Sequence, residues 1–346
     1  MPQSKKKTTD KRLGEKAPPA RVNETTRKDR WIGFVIVAVV VAVIASVVGL
    51  FYYNENVAPF RRTLISVDNI NVSMGYFLKR AALAGADPMS MMQSITNEQL
   101  VKLGAAEYGL KATPEDINLE LRNSASGGSG NITESEFREW YRQQLNESRL
   151  TDREYREVAA TSLETSRLQQ FLATKVPTVA KQIHLHAIAA DNNDDAEQVR
   201  ARLKSGEDFA TVARDVFTDN ASKETGGDLG WFPRGILPSG LDEVAFSLKE
   251  GEISDVIPYS PQSDPSSGNT ESVPPTYFVF MVSEKADARP VVDEYLTVLK
   301  GRALQTWLSE QMSLHDINYY KFDSETYAWM NWQLSKTKSN SGTSGQ

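Results

Sequence analysis

The sequence GGDLGWF, at residues 226–232, decides the fold class of the central part of this chain. Two adjacent glycines followed by an aspartate predict a backbone turn that needs positive φ angles. A glycine-rich run of this kind also occurs in phosphate-binding loops. The GxxxxGK[ST] pattern of such loops is absent, however, so phosphate binding is disfavoured.

The residues around this turn predict alternating strands and helices between positions 182 and 290. The turn follows a predicted strand and two helices, and it precedes a short helix and two further strands. Pro177 marks the start of the segment. The predicted strands are 182–189, one that begins after the sequence GEIS at 251–254, and 277–282; the predicted helices are 194–203, 209–217 and 241–248.

In this order, the motifs resemble the parvulin family of peptidyl-prolyl isomerases. The resemblance rests on His186-Ala-Ile, on GEDFA at 206–210, on GGDLGWF, on Leu241-x-x-x-Ala245-Phe246 and on GEIS. It implies an α+β fold with a parvulin-like α/β domain at residues 179–290. It also implies a prolyl cis/trans isomerase that uses no cofactor and no metal.

The resemblance also implies site residues. Asp219 aligns with the central polar residue of the family and His186 with its first histidine, so these two are the expected catalytic residues. The expected substrate-binding residues, which line the apolar proline pocket, are Leu229, Leu237, Leu241 and Phe246.

Each of these residues has an ordinary structural alternative. Asp219 could form an Asx turn or cap a helix in Thr-Asp-Asn-Ala. The pocket residues could be plain core, which is the better interpretation for Phe246. His184 would share a strand face with His186, so the choice of His186 depends on the alignment.

The chain departs from the family at position 278. Parvulins commonly carry a second histidine in their last strand, and Phe278 stands there in this chain. A histidine pair across two strands therefore cannot form. Two hypotheses follow: an extracytoplasmic isomerase and chaperone for exported proteins, or a membrane-tethered holdase whose parvulin domain binds chains with weak or no turnover. The loop at 259–275, enlarged in this chain, would border the substrate cleft.

The segments on either side of residues 179–290 are predicted to be helical. Helix starts are indicated by Thr113-Pro114 and by capping-box patterns at Thr133 and Thr151. Neither 54–178 nor 291–334 can bury its apolar stripes alone, so we expect them to pack together as one discontinuous domain. This arrangement resembles the chaperone segments of membrane-anchored foldases of the SurA/PrsA/PpiD kind. Residues 335–346 are expected to be a disordered tail.

Residues 31–53 are expected to be a transmembrane helix. The 21 residues from Trp31 to Phe51 carry no charge, which suits a bilayer span. Residues 1–30 contain ten Lys/Arg against four acids and are expected to form a disordered cytoplasmic tail, leaving 54–346 outside the cytoplasm. The alternative, a cleaved signal peptide, usually has an apolar region of only about 7–15 residues.

Composition excludes several classes of site. The chain has no cysteine, so disulfides, thiolate metal ligands and cysteine nucleophiles are absent. With only three histidines, a histidine-rich metal site is not expected. The net charge is −6, and because the first 30 residues carry +6, the remainder carries −12. Nucleic acid is therefore not an expected partner, whereas unfolded or proline-containing polypeptides are.

Overall fold

The computed structural model describes residues 24–216, 220–260 and 274–341. Helices α1 (Glu24–Asn56) and α2 (Ala58–Arg61), with residues 73–75, form a unit of their own. Within α1, Phe34–Asn56 is long and apolar enough to cross a membrane, with a mean hydropathy of 3.1 and no buried side chain. The helix begins at Glu24, inside the segment predicted to be a disordered tail. Residues 20–32 contain no glycine or proline, so no helix-breaking residue lies in this stretch.

The second unit begins with a hairpin and five helices. The hairpin turns at Asp68, which has a φ of 50°. Thr113, Thr133 and Thr151 each form a capping box with the carboxylate three residues later, which confirms the predicted helix starts. The elements are β1 (Thr63–Val67), β2 (Ile70–Ser73), α3 (Met74–Ala84), α4 (Pro88–Glu107), α5 (Pro114–Ala125), α6 (Glu134–Ser148) and α7 (Asp152–Lys175).

Three elements at the C-terminal end pack onto this N-terminal segment. They are α12 (Asp293–Leu314), β7 (Ile317–Tyr319) and α13 (Ser324–Ser341). Strand β7 pairs antiparallel with β1 and completes a three-stranded sheet of order β2-β1-β7. Helix α12 packs against α7 and α4, and its buried Trp307 fills the space beside Gly104, where an added Cβ would lie 2.5 Å from the indole. The helical segments before and after the central α/β domain therefore share one core.

Between these segments lies a four-stranded antiparallel sheet of order β4-β3-β6-β5, with helices on both faces. One face packs against α11 and the other against α8 and α9. The elements are β3 (Val179–Ala190), α8 (Asn193–Lys204), α9 (Phe209–Val216), α10 (Asn220–Thr225), β4 (Asp228–Pro233), α11 (Ser239–Ser247), β5 (Ile257–Tyr259) and β6 (Thr276–Pro290). The predicted fold class, an α/β domain between two helical segments with one apolar helix at the N-terminal side, is confirmed.

One expectation differs from the structure, and another concerns residues that lie mostly outside the described ranges. The last helix continues to Ser341, past Leu334 where the sequence predicts a disordered tail, because its first glycine comes only at position 342. Most of the 259–275 loop lies outside the described residues.

Candidate functional site

The glycine turn predicted from the sequence is confirmed, since Gly226 and Gly227 have φ angles of 59° and 79°. Gly227 also has no room for a side chain. An added Cβ there would lie 2.9 Å from the Ala187 carbonyl oxygen and 3.0 Å from the Phe209 ring. The Gly227 carbonyl accepts a hydrogen bond of 2.9 Å from the Ala187 amide. The turn is therefore fixed between β3 and α9.

Asp228 follows the turn and connects it to β3. Its Oδ1 accepts a 2.8 Å hydrogen bond from the Gly230 amide and another of 2.8 Å from Nε2 of His184. Partial burial raises the pKa of Asp228, but the Gly230 hydrogen bond and the nearby histidines lower it, and the net shift is downward. The carboxylate is therefore ionised at neutral pH.

His186 lies half-buried beside this pair. It is the cross-strand partner of Asp228, and its ring centroid lies 5.1 Å from that of His184. Its Nε2 lies 3.1 Å from Oγ of Ser283, and its ring contacts Phe209 edge-on. Burial lowers the pKa of His186, with an opposing effect from Asp228 and a further lowering from His184. The shift favours the neutral imidazole.

The side chains of His184 and Trp231 are stacked, with ring centroids 5.2 Å apart. The guanidinium of Arg289 lies 4.3 Å from the Trp231 ring centroid. Two imidazoles, one carboxylate and one hydroxyl thus meet on the α9 side of the sheet; we call His184, His186, Asp228 and Ser283 the polar cluster. Sequence reasoning missed His184 and Ser283, although the shared strand face of His184 and His186 was a signal for the first.

The expected proline-pocket residues lie on the other side of the sheet. Leu241 and Phe246 are buried in an apolar cluster on the α11 face, and Leu237 packs half-buried against it. Leu229, in contrast, is 48% exposed. Phe278 also packs against this cluster, with its ring centroid 5.7 Å from that of Phe280. We call the apolar cluster on the α11 side of the sheet, with Leu237 and Phe278 packed against it, the apolar face. Its buried members are Ile183, Leu185, Ala187, Leu241, Ala245, Phe246, Leu248, Phe280 and Val282.

The structure does not bring all predicted site residues together. Along β3, Leu185 and Ala187 point into the apolar face, so His184 and His186 point to the opposite side. His186 and Leu241 therefore lie on different faces of the sheet. Asp219 lies outside the described residues. The roles of Asp219, His186 and the four pocket residues remain proposals.

The loop that carries Leu237 is held by the C-terminal helical segment. Nη1 of Arg302, in α12, donates hydrogen bonds of 2.7 Å and 3.1 Å to the carbonyl oxygens of Gly235 and Ile236. Tyr295 of the same helix stacks on Phe232 at a centroid distance of 5.4 Å. The helical segment thus fixes the backbone directly before one of the expected pocket residues.

Comparison with known proteins identifies the class of this domain. Residues 179–264 match the rotamase family, described as the PPIC-type PPIase domain. The match covers the turn, the polar cluster except Ser283, and the α11 residues of the apolar face. This part of the chain is therefore a parvulin-type prolyl isomerase domain of the PPIC kind.

Among curated proteins, the chain is similar to foldases and a chaperone. It is 31% identical over 170 residues to the foldase protein PrsA of Oceanobacillus iheyensis, covering 47% of this chain and 54% of that protein. It is 41% identical over 76 residues to the periplasmic chaperone PpiD of Haemophilus ducreyi, covering 22% and 12%. The chain thus spans about half the length of the PrsA relatives it matches first.

The chain is also similar to a solved structure of a PrsA protein. The crystal structure of the peptidylprolyl isomerase PrsA from Bacillus anthracis is 18% identical and covers 73% of this chain and 97% of that one, with a TM-score of 0.32.

Proposed function

We propose that the chain is an extracytoplasmic peptidyl-prolyl cis/trans isomerase and chaperone that assists the folding of exported proteins. The observation that carries this proposal is the match of residues 179–264 to the PPIC-type family, because that segment holds both the glycine turn and most of the apolar face. The PrsA and PpiD names of the relatives support it. Its clients would be unfolded or proline-containing polypeptides.

The reaction needs no bond cleavage, which suits the residues present. Rotation about a peptide bond has a barrier of about 18–20 kcal/mol, and X–Pro bonds exchange over roughly tens to hundreds of seconds. An enzyme accelerates this by binding the twisted amide more tightly than the planar one. Because the twisted amide has lost resonance and carries less charge on oxygen, an apolar surface favours it.

Each proposed residue has a role in this mechanism. Leu229, Leu237 and Leu241 would hold the proline ring, with Phe246 supporting them from the core. Asp219 would place a carboxylate near the substrate carbonyl and so disfavour the planar ground state. His186 would orient the polar groups beside it rather than touch the proline ring, since it lies on the face opposite Leu241.

A second function, that of a holdase with weak or absent turnover, is favoured by two observations. Phe278 occupies the place of the family's second histidine and lies in the apolar face. In the helical segments, a cavity of about 730 Å³ is lined by methionine and aromatic side chains that suit unfolded chains: Met89, Met92, Tyr319 and Phe322, with Ser90 and Gln93.

A proline-peptide isomerisation assay on the full chain in detergent tests the proposal. We expect a rate above the uncatalysed one, a marked loss in Asp219→Ala, and no loss in Asp287→Ala, whose side chain is 94% exposed. A wild-type rate equal to the uncatalysed rate, together with suppression of aggregation of an unfolded client, would support the holdase and refute the enzyme.

The proposed location is the cell membrane, crossed once by residues 31–53, with the N-terminus in the cytoplasm and residues 54–346 outside. The apolar helix and the basic residues before it support this orientation. Protease added to intact cells or spheroplasts should degrade 54–346. Protection of that segment, with degradation only after lysis, would contradict the orientation.

A further inference from the structure

We propose that His184, His186 and Asp228 form a binding site for a divalent transition-metal ion, for which zinc is the test ion. This inference does not depend on isomerase activity. It departs from the sequence-based expectation of no metal, which rested on the small number of histidines and not on the strand face that His184 and His186 share.

The backbone places the three side chains on one surface. Residues two apart on a strand point to the same face, so His184 and His186 project together from β3. Asp228 lies directly across from His186 on the neighbouring strand β4. One potential ligand atom from each residue lies within 4.8 Å of the other two.

These separations are close to those that zinc requires. Zinc binds imidazole nitrogen at about 2.0–2.1 Å and carboxylate oxygen at about 2.0–2.2 Å in tetrahedral geometry, which places neighbouring ligand atoms about 3.3–3.5 Å apart. Nε2 of His184 and Oδ1 of Asp228 are 2.8 Å apart. Seating an ion therefore requires a side-chain rotation that opens this pair and brings a ring nitrogen of His186 closer to it.

The hydrogen bonds around the three residues are also of the kind that orients the ligands of a metal ion. Oγ of Ser283 lies 3.1 Å from Nε2 of His186 and 3.5 Å from the His184 carbonyl oxygen. If the hydroxyl donates to that carbonyl, it accepts the Nε2 proton of His186 and leaves the Nδ1 lone pair free. Hydrogen bonds of this kind orient ligating histidines. The Gly230 amide holds the Asp228 carboxylate in the same way.

The donor set restricts the class of ion. Two imidazoles and one carboxylate, without a thiolate, suit zinc and its transition-metal neighbours and disfavour calcium and magnesium, which prefer all-oxygen sites. The competing explanation is a hydrogen-bonded cluster that binds no ion. The two explanations differ in one measurable property, which is affinity for zinc.

Zinc titration of the full chain in detergent, followed by calorimetry, tests the site. We expect one equivalent to bind, and we expect Co²⁺ to give the visible absorption of a tetrahedral centre. His184→Asn, His186→Asn and Asp228→Asn should each weaken zinc binding by at least about tenfold. His315→Asn is the matched control, because His315 is the third histidine of the chain and also pairs with an aspartate, Asp68, at 2.7 Å. It should bind zinc as the wild type does.

Failure of the wild type to bind zinc would overturn the proposal. So would equal binding by wild type, His184→Asn and His186→Asn, because the ion would then sit elsewhere. Far-UV circular dichroism of each variant without metal shows whether it folds. Should a histidine variant not fold, zinc X-ray absorption of the wild type decides, since two imidazole ligands support the site and their absence refutes it.

Discussion

Both faces of the four-stranded sheet bury apolar side chains, but only one of them also carries the polar cluster on strand β3. On one face, Leu185 and Ala187 pack with Leu241 of α11 in a buried apolar cluster. On the other, the alternating residues His184 and His186 meet Asp228. A strand alternates its side chains, so one sequence, Ile-His-Leu-His-Ala, supplies both environments. The sheet therefore separates the apolar face from the polar cluster.

The largest expected effect tests the apolar face. Leu241→Ala removes a side chain that is only 6% exposed, so the free energy of unfolding should fall by about 2–5 kcal/mol. Leu229→Ala removes a side chain that is 48% exposed and should change stability by less than about 0.5 kcal/mol. Urea unfolding of both variants measures the difference.

The same two variants, Leu241→Ala and Leu229→Ala, distinguish a role in core packing from a role in substrate binding. If Leu229 holds the proline ring, Leu229→Ala should lower kcat/KM for a proline peptide by about tenfold or more without loss of stability. An unchanged kcat/KM would remove Leu229 from the pocket. A small stability loss in Leu241→Ala would contradict its place in the core.

An intermediate effect tests whether the two faces are separate. Phe278→His restores the histidine common in parvulins, but position 278 lies on the apolar face, away from His186. We expect no increase in isomerisation rate and a loss of about 1–3 kcal/mol in stability, because a polar ring enters an apolar cluster. Phe278→Leu, which stays apolar, should lose less. A faster rate in Phe278→His would show that the two positions cooperate.

The sequence predicted the parts of the molecule that depend on local rules. The Gly226-Gly227 turn follows from backbone sterics, and the helix starts at Thr113, Thr133 and Thr151 follow from capping chemistry. The shared face of His184 and His186 was likewise predictable from strand geometry.

What depends on the tertiary fold could not be predicted in the same way. The contact between His184 and Asp228 requires the register of β3 against β4, residues 44 apart in sequence. Arg302 contacts Gly235 across 67 residues, and no local pattern indicates that pairing. The assignment of His186 and Leu241 to opposite faces also follows only once the sheet is assembled.

The smallest expected effect concerns the one acidic residue, Asp242, that lies buried on α11 beside Leu241. Oδ1 of Asp242 accepts a 3.1 Å hydrogen bond from the Gly235 amide, in the loop that Arg302 holds from the other side. Burial raises the pKa of Asp242, opposed by that hydrogen bond and by Arg234, and the net shift is upward. The folded protein therefore binds a proton at this site more readily than the unfolded chain does.

The sign of the pH dependence follows from that shift. As pH rises from the unfolded pKa, near 3.8, through the raised folded pKa, Asp242 loses its proton and stability falls. Asp242→Asn keeps an acceptor for the Gly235 amide without the charge, so it should be slightly more stable than wild type at pH 7, and the gain should disappear at pH values below the unfolded pKa. Asp287→Asn, at an exposed position, should show no such pH-dependent gain. Thermal unfolding between pH 3 and 8 measures the stability of both variants. A loss of stability in Asp242→Asn at pH 7 would contradict the prediction. It would mean that the interactions of the ionised carboxylate with Arg234 and the Gly235 amide contribute more free energy than its burial costs.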